Sequence, residues 1–317
     1  MKITRRKIAI VGCGLVGSST AFSLVTQGVC DEIRMIDINK ERAYGEALDL
    51  RDSIEYLNSN IKVTTGTYAD CKDMDIVVIA AGAPPKQGQT RLDTLEMTAK
   101  ICRSIVDPIM ESGFNGIFIA ISNPVDIIAH YIYKLSGLPK NQVIGTGTAL
   151  DSARLKRIIG RLTNVDPRSV HAYSMGEHGD SQMVPWSTVT VAGKPFYDVI
   201  NDNRETLGKV DLDELVYQTS REGWEILNRK GTTYYGIATT CVGVIKSIMY
   251  DENRIIPVST LLEGEYGEYD VFAGVPTILN RSGASDILEI HMTPTELTRF
   301  KESTSIIRKY IDKIQEF

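Results

Sequence analysis

A glycine-rich turn set between a short apolar strand and a helix constrains this chain more than any other feature. Ile8-Ala9-Ile10-Val11 runs straight into Gly12-Cys13-Gly14-Leu15-Val16-Gly17, and a helical stretch from Ser18 to Val25 follows. Glycines at these spacings permit a tight turn and let main-chain N–H groups at a helix N-terminus approach a pyrophosphate. The order strand, turn, helix raises a weak motif to a useful fingerprint for a dinucleotide. Asp37 closes the second apolar run about 20 residues beyond Gly17, where a carboxylate accepts hydrogen bonds from the adenosine ribose. Because that carboxylate repels a 2′-phosphate, NAD is expected rather than NADP. The alternative is an ordinary strand-helix turn with Asp37 as a turn residue.

The runs Ile33 to Ile36, Ile76 to Ala80, Ile117 to Ile121 and Val143-Ile144 repeat the pattern of the first strand, separated by helical stretches. Continuous hydrophobicity suits strands covered on both faces, so the first half is expected to be an α/β, Rossmann-type doubly wound parallel sheet. From about Asp151 the pattern changes. A helix, strand-like Ser187 to Val191, a turn at Ala192-Gly193-Lys194-Pro195, polar helices to residue 230 and strands at Ile255 to Leu262 and Val271 to Leu279 suggest an α+β unit. Thr293-Pro294-Thr295-Glu296 reads as a capping box opening a final amphipathic helix. The expected division is 1–145 for the cofactor and 146–317 for the substrate.

Composition narrows the function classes. A formal net charge of -5 leaves no basic field for nucleic acid or an anionic membrane surface. No run of about 18 apolar residues occurs, and the apolar stretch behind Lys2, Arg5, Arg6 and Lys7 is too short for a signal peptide. The five cysteines are scattered and include no C-x-x-C pair, which fits reduced thiols in the cytoplasm and gives no metal site. Cys13 lies at a helix N-terminus, where a thiol pKa can fall, or it simply fills a small-residue position.

The second group of motifs carries chemistry. Gly176-Glu177-His178-Gly179-Asp180-Ser181 presents an imidazole between glycines, and histidine suits proton donation to a carbonyl because its pKa lies near neutrality. Asp151 and Arg154 sit three apart on a predicted helix, so both project from one face. One helix then serves two tasks: Asp151 to orient the imidazole, Arg154 to hold a carboxylate through two parallel bonds. An isolated D-x-x-R is equally an intrahelical ion pair. His130 and His291 read as structural. Gly82 to Asp93 has the composition of a surface loop after a buried strand, with Gly82 at its start beside the cofactor or as a plain turn residue.

Together with Ser122-Asn123-Pro124-Val125-Asp126 and Gly147-Thr148-Ala149-Leu150-Asp151-Ser152-Ala153-Arg154, these motifs resemble the L-lactate/malate dehydrogenase family, on its lactate side. The likeness runs from the glycine turn to Gly231-Thr232-Thr233-Tyr234-Tyr235-Gly236. It implies an NAD-dependent L-2-hydroxy acid dehydrogenase in which His178, Asp151 and Arg91 are catalytic, Arg91 being carried to the carbonyl by a closing loop. Arg154, Asn123, Pro85 and Thr233 would meet the substrate, and Asn123 also the cofactor.

Pro85 departs from the family pattern, which has glutamine in lactate enzymes and arginine in malate enzymes at the selecting position. A proline offers no cation for a second carboxylate, which disfavours oxaloacetate, and its apolar surface suits larger 2-oxo acids. An L-2-hydroxyisocaproate-type enzyme is therefore the alternative to lactate; a malate enzyme or a silent NAD-binding sensor comes further behind. The resemblance also implies a homotetramer with a fructose 1,6-bisphosphate effector held by Lys156 and His171, although lysine lacks the forked geometry of the family's arginine.

Overall fold

The apolar runs of the first half become parallel strands because both of their faces are covered. The computed structural model describes residues 5–82 and 91–314, with the main chain alone for 91–93. Strands and helices alternate as β1 (Lys7–Val11), α1 (Leu15–Gln27), β2 (Glu32–Ile36), α2 (Lys40–Ile54), β3 (Lys62–Thr65), β4 (Ile76–Ile79), α3 (Arg91–Glu111), β5 (Ile117–Ala120), α4 (Val125–Ser136) and β6 (Val143–Gly145). Side by side they lie in the order β3-β2-β1-β4-β5-β6, all parallel. Neighbouring residues of one strand enter different cores. Ile8 and Ile10 pack with Leu24 and Ala47 of the first two helices, whereas Ala9 and Val11 pack with Leu95, Val106 and Ile128 of the next two. Burying a side chain of this size stabilises by roughly 1.5–3 kcal/mol, so two-sided burial fixes the sheet in this setting.

The second half is built differently. After α5 (Ala149–Thr163) come the short antiparallel strands β7 (Val170–His171), β8 (Thr190–Val191) and β9 (Lys194–Pro195), then α6 (Phe196–Asp202), α7 (Arg204–Leu207), α8 (Leu212–Lys230) and α9 (Tyr235–Met249). The long strands β10 (Arg254–Glu263) and β11 (Tyr269–Asn280) and the shorter β12 (Gly283–Ile287) run antiparallel and extend the large sheet, before α10 (Pro294–Ile314). Among the described residues one registered pair, Ser259 with Gly145, joins β10 to β6 and completes a nine-stranded sheet. The architecture is the expected one: a doubly wound parallel sheet followed by an α+β unit.

Some local expectations shift. Only Thr190–Val191 of the strand-like run at Ser187 to Val191 is strand. Pro185 lacks an amide proton, and its carbonyl accepts from both the amide and the hydroxyl of Thr188, so Trp186–Thr188 coils into a 3-10 turn instead. The capping box forms as read: the Thr293 amide donates to Glu296 Oε2 at 2.8 Å, and the Glu296 amide donates to Thr293 Oγ1 at 3.3 Å.

Candidate active site

The turn after β1 has the shape that a phosphate group requires. Gly12 sits at φ +98°, and a Cβ there would lie 2.7 Å from the Ala81 amide nitrogen. A Cβ on Gly17 would come within 1.9 Å of the Gly12 carbonyl oxygen, so the helix start packs directly on the turn. Gly14 faces open space and precedes α1 without any side-chain cap, leaving first-turn amides directed outward. Asp37 holds this loop: its Oδ2 accepts from the Cys13 amide at 2.7 Å and its Oδ1 from the Asn39 amide at 2.8 Å. The residues thus fit a dinucleotide, with the carboxylate beside the turn. Burial pushes the Cys13 thiol up to about 12, so the small-residue reading holds and the lowered-pKa reading does not.

Strand order reverses at β1, which lies between β2 and β4, and ligands of such sheets bind at that switch point beyond the carboxyl ends. Gly82 and Asn123 are brought together there. Ser122 Oγ donates to the Ala81 carbonyl at 2.5 Å, clamping the ends of β4 and β5, and a Cβ on Gly82 would sit 3.8 Å from the Ser122 side chain.

His178, Asp151 and Arg154 assemble beside this edge. His178 Nδ1 lies 2.6 Å from Asp151 Oδ2, and Asp151 Oδ1 accepts from Arg154 Nη1 at 3.0 Å. The aspartate is 1% exposed and the arginine 7%, so the pair is not a solvated surface bridge. The intrahelical ion pair of D-x-x-R exists, and its carboxylate also grips the imidazole. Burial, the largest single influence, pushes the His178 pKa down, yet the charge and hydrogen bond of Asp151 and the charge of Asp126 outweigh it and leave the pKa raised. Burial likewise pushes Asp151 up, but His178, Arg154 and Gln182 together hold it below the ordinary carboxylate value. The imidazole remains 27% exposed, open to a ligand.

Main-chain and hydroxyl contacts fasten the histidine loop. Gly176 and Gly274 exchange a reciprocal pair of amide-carbonyl bonds at 3.0 and 2.8 Å. The Glu177 amide donates to Ser303 Oγ of α10 at 2.9 Å, and the His178 amide to Asp126 Oδ2 of α4 at 2.7 Å. Gln182 Nε2 returns to the Gly179 carbonyl at 3.0 Å. Sequence reasoning gave these groups no role: Asp126 stood inside a quoted motif without one, and Ser303 and Gln182 carried no local signal.

Thr233 lies half-buried between α8 and α9, in a segment seated on the start of α5, where a Cβ on Gly236 would meet Leu150 at 3.1 Å. Pro85 and the side chain of Arg91 lie outside the described residues. Lys156 is half-buried over the Tyr173 ring at 5.6 Å, and burial with the charge of Arg254 lowers its pKa; His171 is exposed on β7. His130 is buried against Asp270 at 3.2 Å, a structural contact away from the other groups.

Comparison with known proteins agrees with this geometry. Residues 6–145 match the family model described as lactate/malate dehydrogenase, NAD binding domain, and 148–317 match its alpha/beta C-terminal domain. L-lactate dehydrogenase 3 of Bacillus thuringiensis subsp. konkukian is 56% identical over 314 residues, covering 99% of each chain. L-lactate dehydrogenase 1 of Bifidobacterium longum is 47% identical over 310 residues, covering 98% of each. The crystal structure of minor L-lactate dehydrogenase from Enterococcus mundtii in its ligands-bound form superimposes with a TM-score of 0.95 at 44% identity, covering 98% of each chain. With the glycine turn, the Asp151-His178 pair and both family models in agreement along its length, the chain belongs to the lactate/malate dehydrogenase family.

Proposed function

We propose that the chain reduces pyruvate to L-lactate with NADH and runs the reverse reaction with NAD. The observation that carries this reading is the 2.6 Å contact between His178 Nδ1 and a buried carboxylate, with the ring still open to a ligand. Asp151 accepts the hydrogen bond from Nδ1–H and keeps that proton on the ring, so in the imidazolium the second N–H is on Nε2, and that is the proton delivered to the carbonyl oxygen. NADH held at the glycine turn supplies the hydride to the carbonyl carbon. One hydride at carbon and one proton at oxygen convert ketone to alcohol and leave a neutral imidazole. Arg154, oriented by Asp151, takes the substrate carboxylate through its forked guanidinium. Asn123, Thr233 and Arg91 are assigned to the substrate's surroundings, with Arg91 polarising the carbonyl.

Names of relatives support lactate over other acids, and they give no support to the L-2-hydroxyisocaproate alternative drawn from Pro85. We read residues 1–145 as the cofactor unit and 146–317 as the substrate unit of a cytoplasmic homotetramer. Lys156, half-buried and with Arg254 close enough to lower its pKa, supports an anion site there for fructose 1,6-bisphosphate, with His171 as partner. Steady-state NADH oxidation against pyruvate, oxaloacetate, 2-oxoisocaproate and phenylpyruvate, with and without that effector, tests the whole reading. Pyruvate should give the highest kcat/KM; a larger acid ahead of it would overturn the lactate assignment.

A further inference from the structure

One carboxylate next to His178 is buried with an oxygen left unpaired. Asp126 stands in the first turn of α4 and is 2% exposed. Its Oδ2 accepts the His178 main-chain N–H at 2.7 Å, and its Oδ1 has no hydrogen-bond partner. Ser259 Oγ, on the strand pair that joins β10 to β6, is also buried without a hydrogen bond, yet close enough to favour the ionised carboxyl. Leaving a buried carboxylate oxygen unpaired is costly, and an amide of the same size would accept the same N–H at less expense. Fold stability alone therefore does not account for an acid here. Such local violations concentrate where function demands them.

What the acid adds over an amide is charge beside the imidazole. The charged and polar groups facing the pair are Asp151 and Arg154 from α5, Glu177 from the histidine's own loop, and Ser259 from β10. Among them Asp126 strengthens the proton affinity of His178 while Arg154 weakens it. Burial pushes the Asp126 carboxyl up to about 6, against the pull of Ser259, the His178 amide and the His178 charge, with Glu177 adding to the rise. With the carboxyl raised only to about 6, its ionised form predominates above that pH.

We propose that Asp126 is a positioning residue for the reaction: its buried carboxylate fixes the main chain of His178 and, together with Asp151, holds the proton on the ring. This rests on the reading of His178 as the proton donor. Asp126→Asn is the decisive variant, because its carbonyl keeps the His178 bond and its amide gives Ser259 Oγ a donor, while the charge disappears. The imidazole titration of His178, identified by the resonance that Asp126-intact His178→Ala protein lacks, should move down by on the order of one pH unit in Asp126→Asn. The alkaline limb of kcat/KM for pyruvate should move by the same amount, with NADH affinity unchanged. Asp126→Ala, which removes the acceptor as well, should lower kcat further. An unmoved titration in Asp126→Asn overturns the proposal, including when the melting temperature falls, since a purely structural carboxylate would do only that. If the unmodified protein fails to turn over pyruvate at any pH, the functional reading is lost while the titration still decides the role of Asp126.

Discussion

The glycine turn and the histidine loop lie near one another at the same edge of the sheet and are built on opposite principles. The cofactor end works by absence: Gly12 and Gly17 bring backbone onto backbone, Gly14 leaves space, and one carboxylate holds the turn through main-chain amides. The proton end works by accumulation, with Asp151, Asp126 and Ser303 converging on residues 176–179 from helices far apart in sequence, Arg154 bonded to Asp151 and Gln182 closing the loop locally. The first kind of site tolerates no added atoms. The second tolerates no change of charge.

The sharpest way to break this contrast is His178→Ala. Loss of the donor should lower kcat by about 10²–10⁴-fold while NADH affinity, read by fluorescence titration, stays the same. Equal damage to both would mean that the two ends are not separable. Next in size is Arg154→Lys, which keeps the positive charge but loses the fork; kcat/KM for pyruvate should fall by about 10²-fold, mainly through KM.

Asp151→Asn addresses the electrostatics directly. In pyruvate reduction the protonated ring is the active form, and Asp151 helps raise its pKa above the ordinary 6.5, so activity persists through neutrality and falls as pH rises through the raised value. The variant should lose activity at a pH lower by about one to two units, measured from the pH dependence of kcat/KM. The smallest effect is expected on the other side of the comparison. Gly17→Ala forces a Cβ against the Gly12 carbonyl at 1.9 Å and should weaken NADH binding and stability by about 1–3 kcal/mol, with kcat at saturating NADH nearly unchanged.

The same contrast explains what could be read from the sequence. The cofactor end is local: strand, glycines and helix are contiguous, and Asp37 follows at a fixed interval, so the motif and its geometry coincide. The parallel strands were legible because burial on both faces leaves uninterrupted apolar runs, and the misjudged run near Ser187 follows Pro185, whose carbonyl accepts from the amide and hydroxyl of Thr188 and coils the chain. At the proton end only His178, Asp151 and Arg154 announced themselves, through motif resemblance and helical spacing. Asp126 and Ser303 act through single bonds to main-chain amides across 52 and 126 residues, and an amide leaves no trace in sequence. Lys156 and His171 remain assigned by resemblance, with the electrostatics of the lysine as their physical support.

The bond from Asp126 to the His178 amide has a consequence for how such a chain can change over generations. His178 belongs to the second half of the sequence, and one of its supports belongs to the first. A recombination event with a crossover anywhere between Asp126 and His178 would inherit the two from different parents. Only parents that share the buried acid, and the hydroxyl of Ser259 beside it, would yield offspring whose histidine keeps both its place and its proton, so this stretch of the gene should travel through exchange as a linked block.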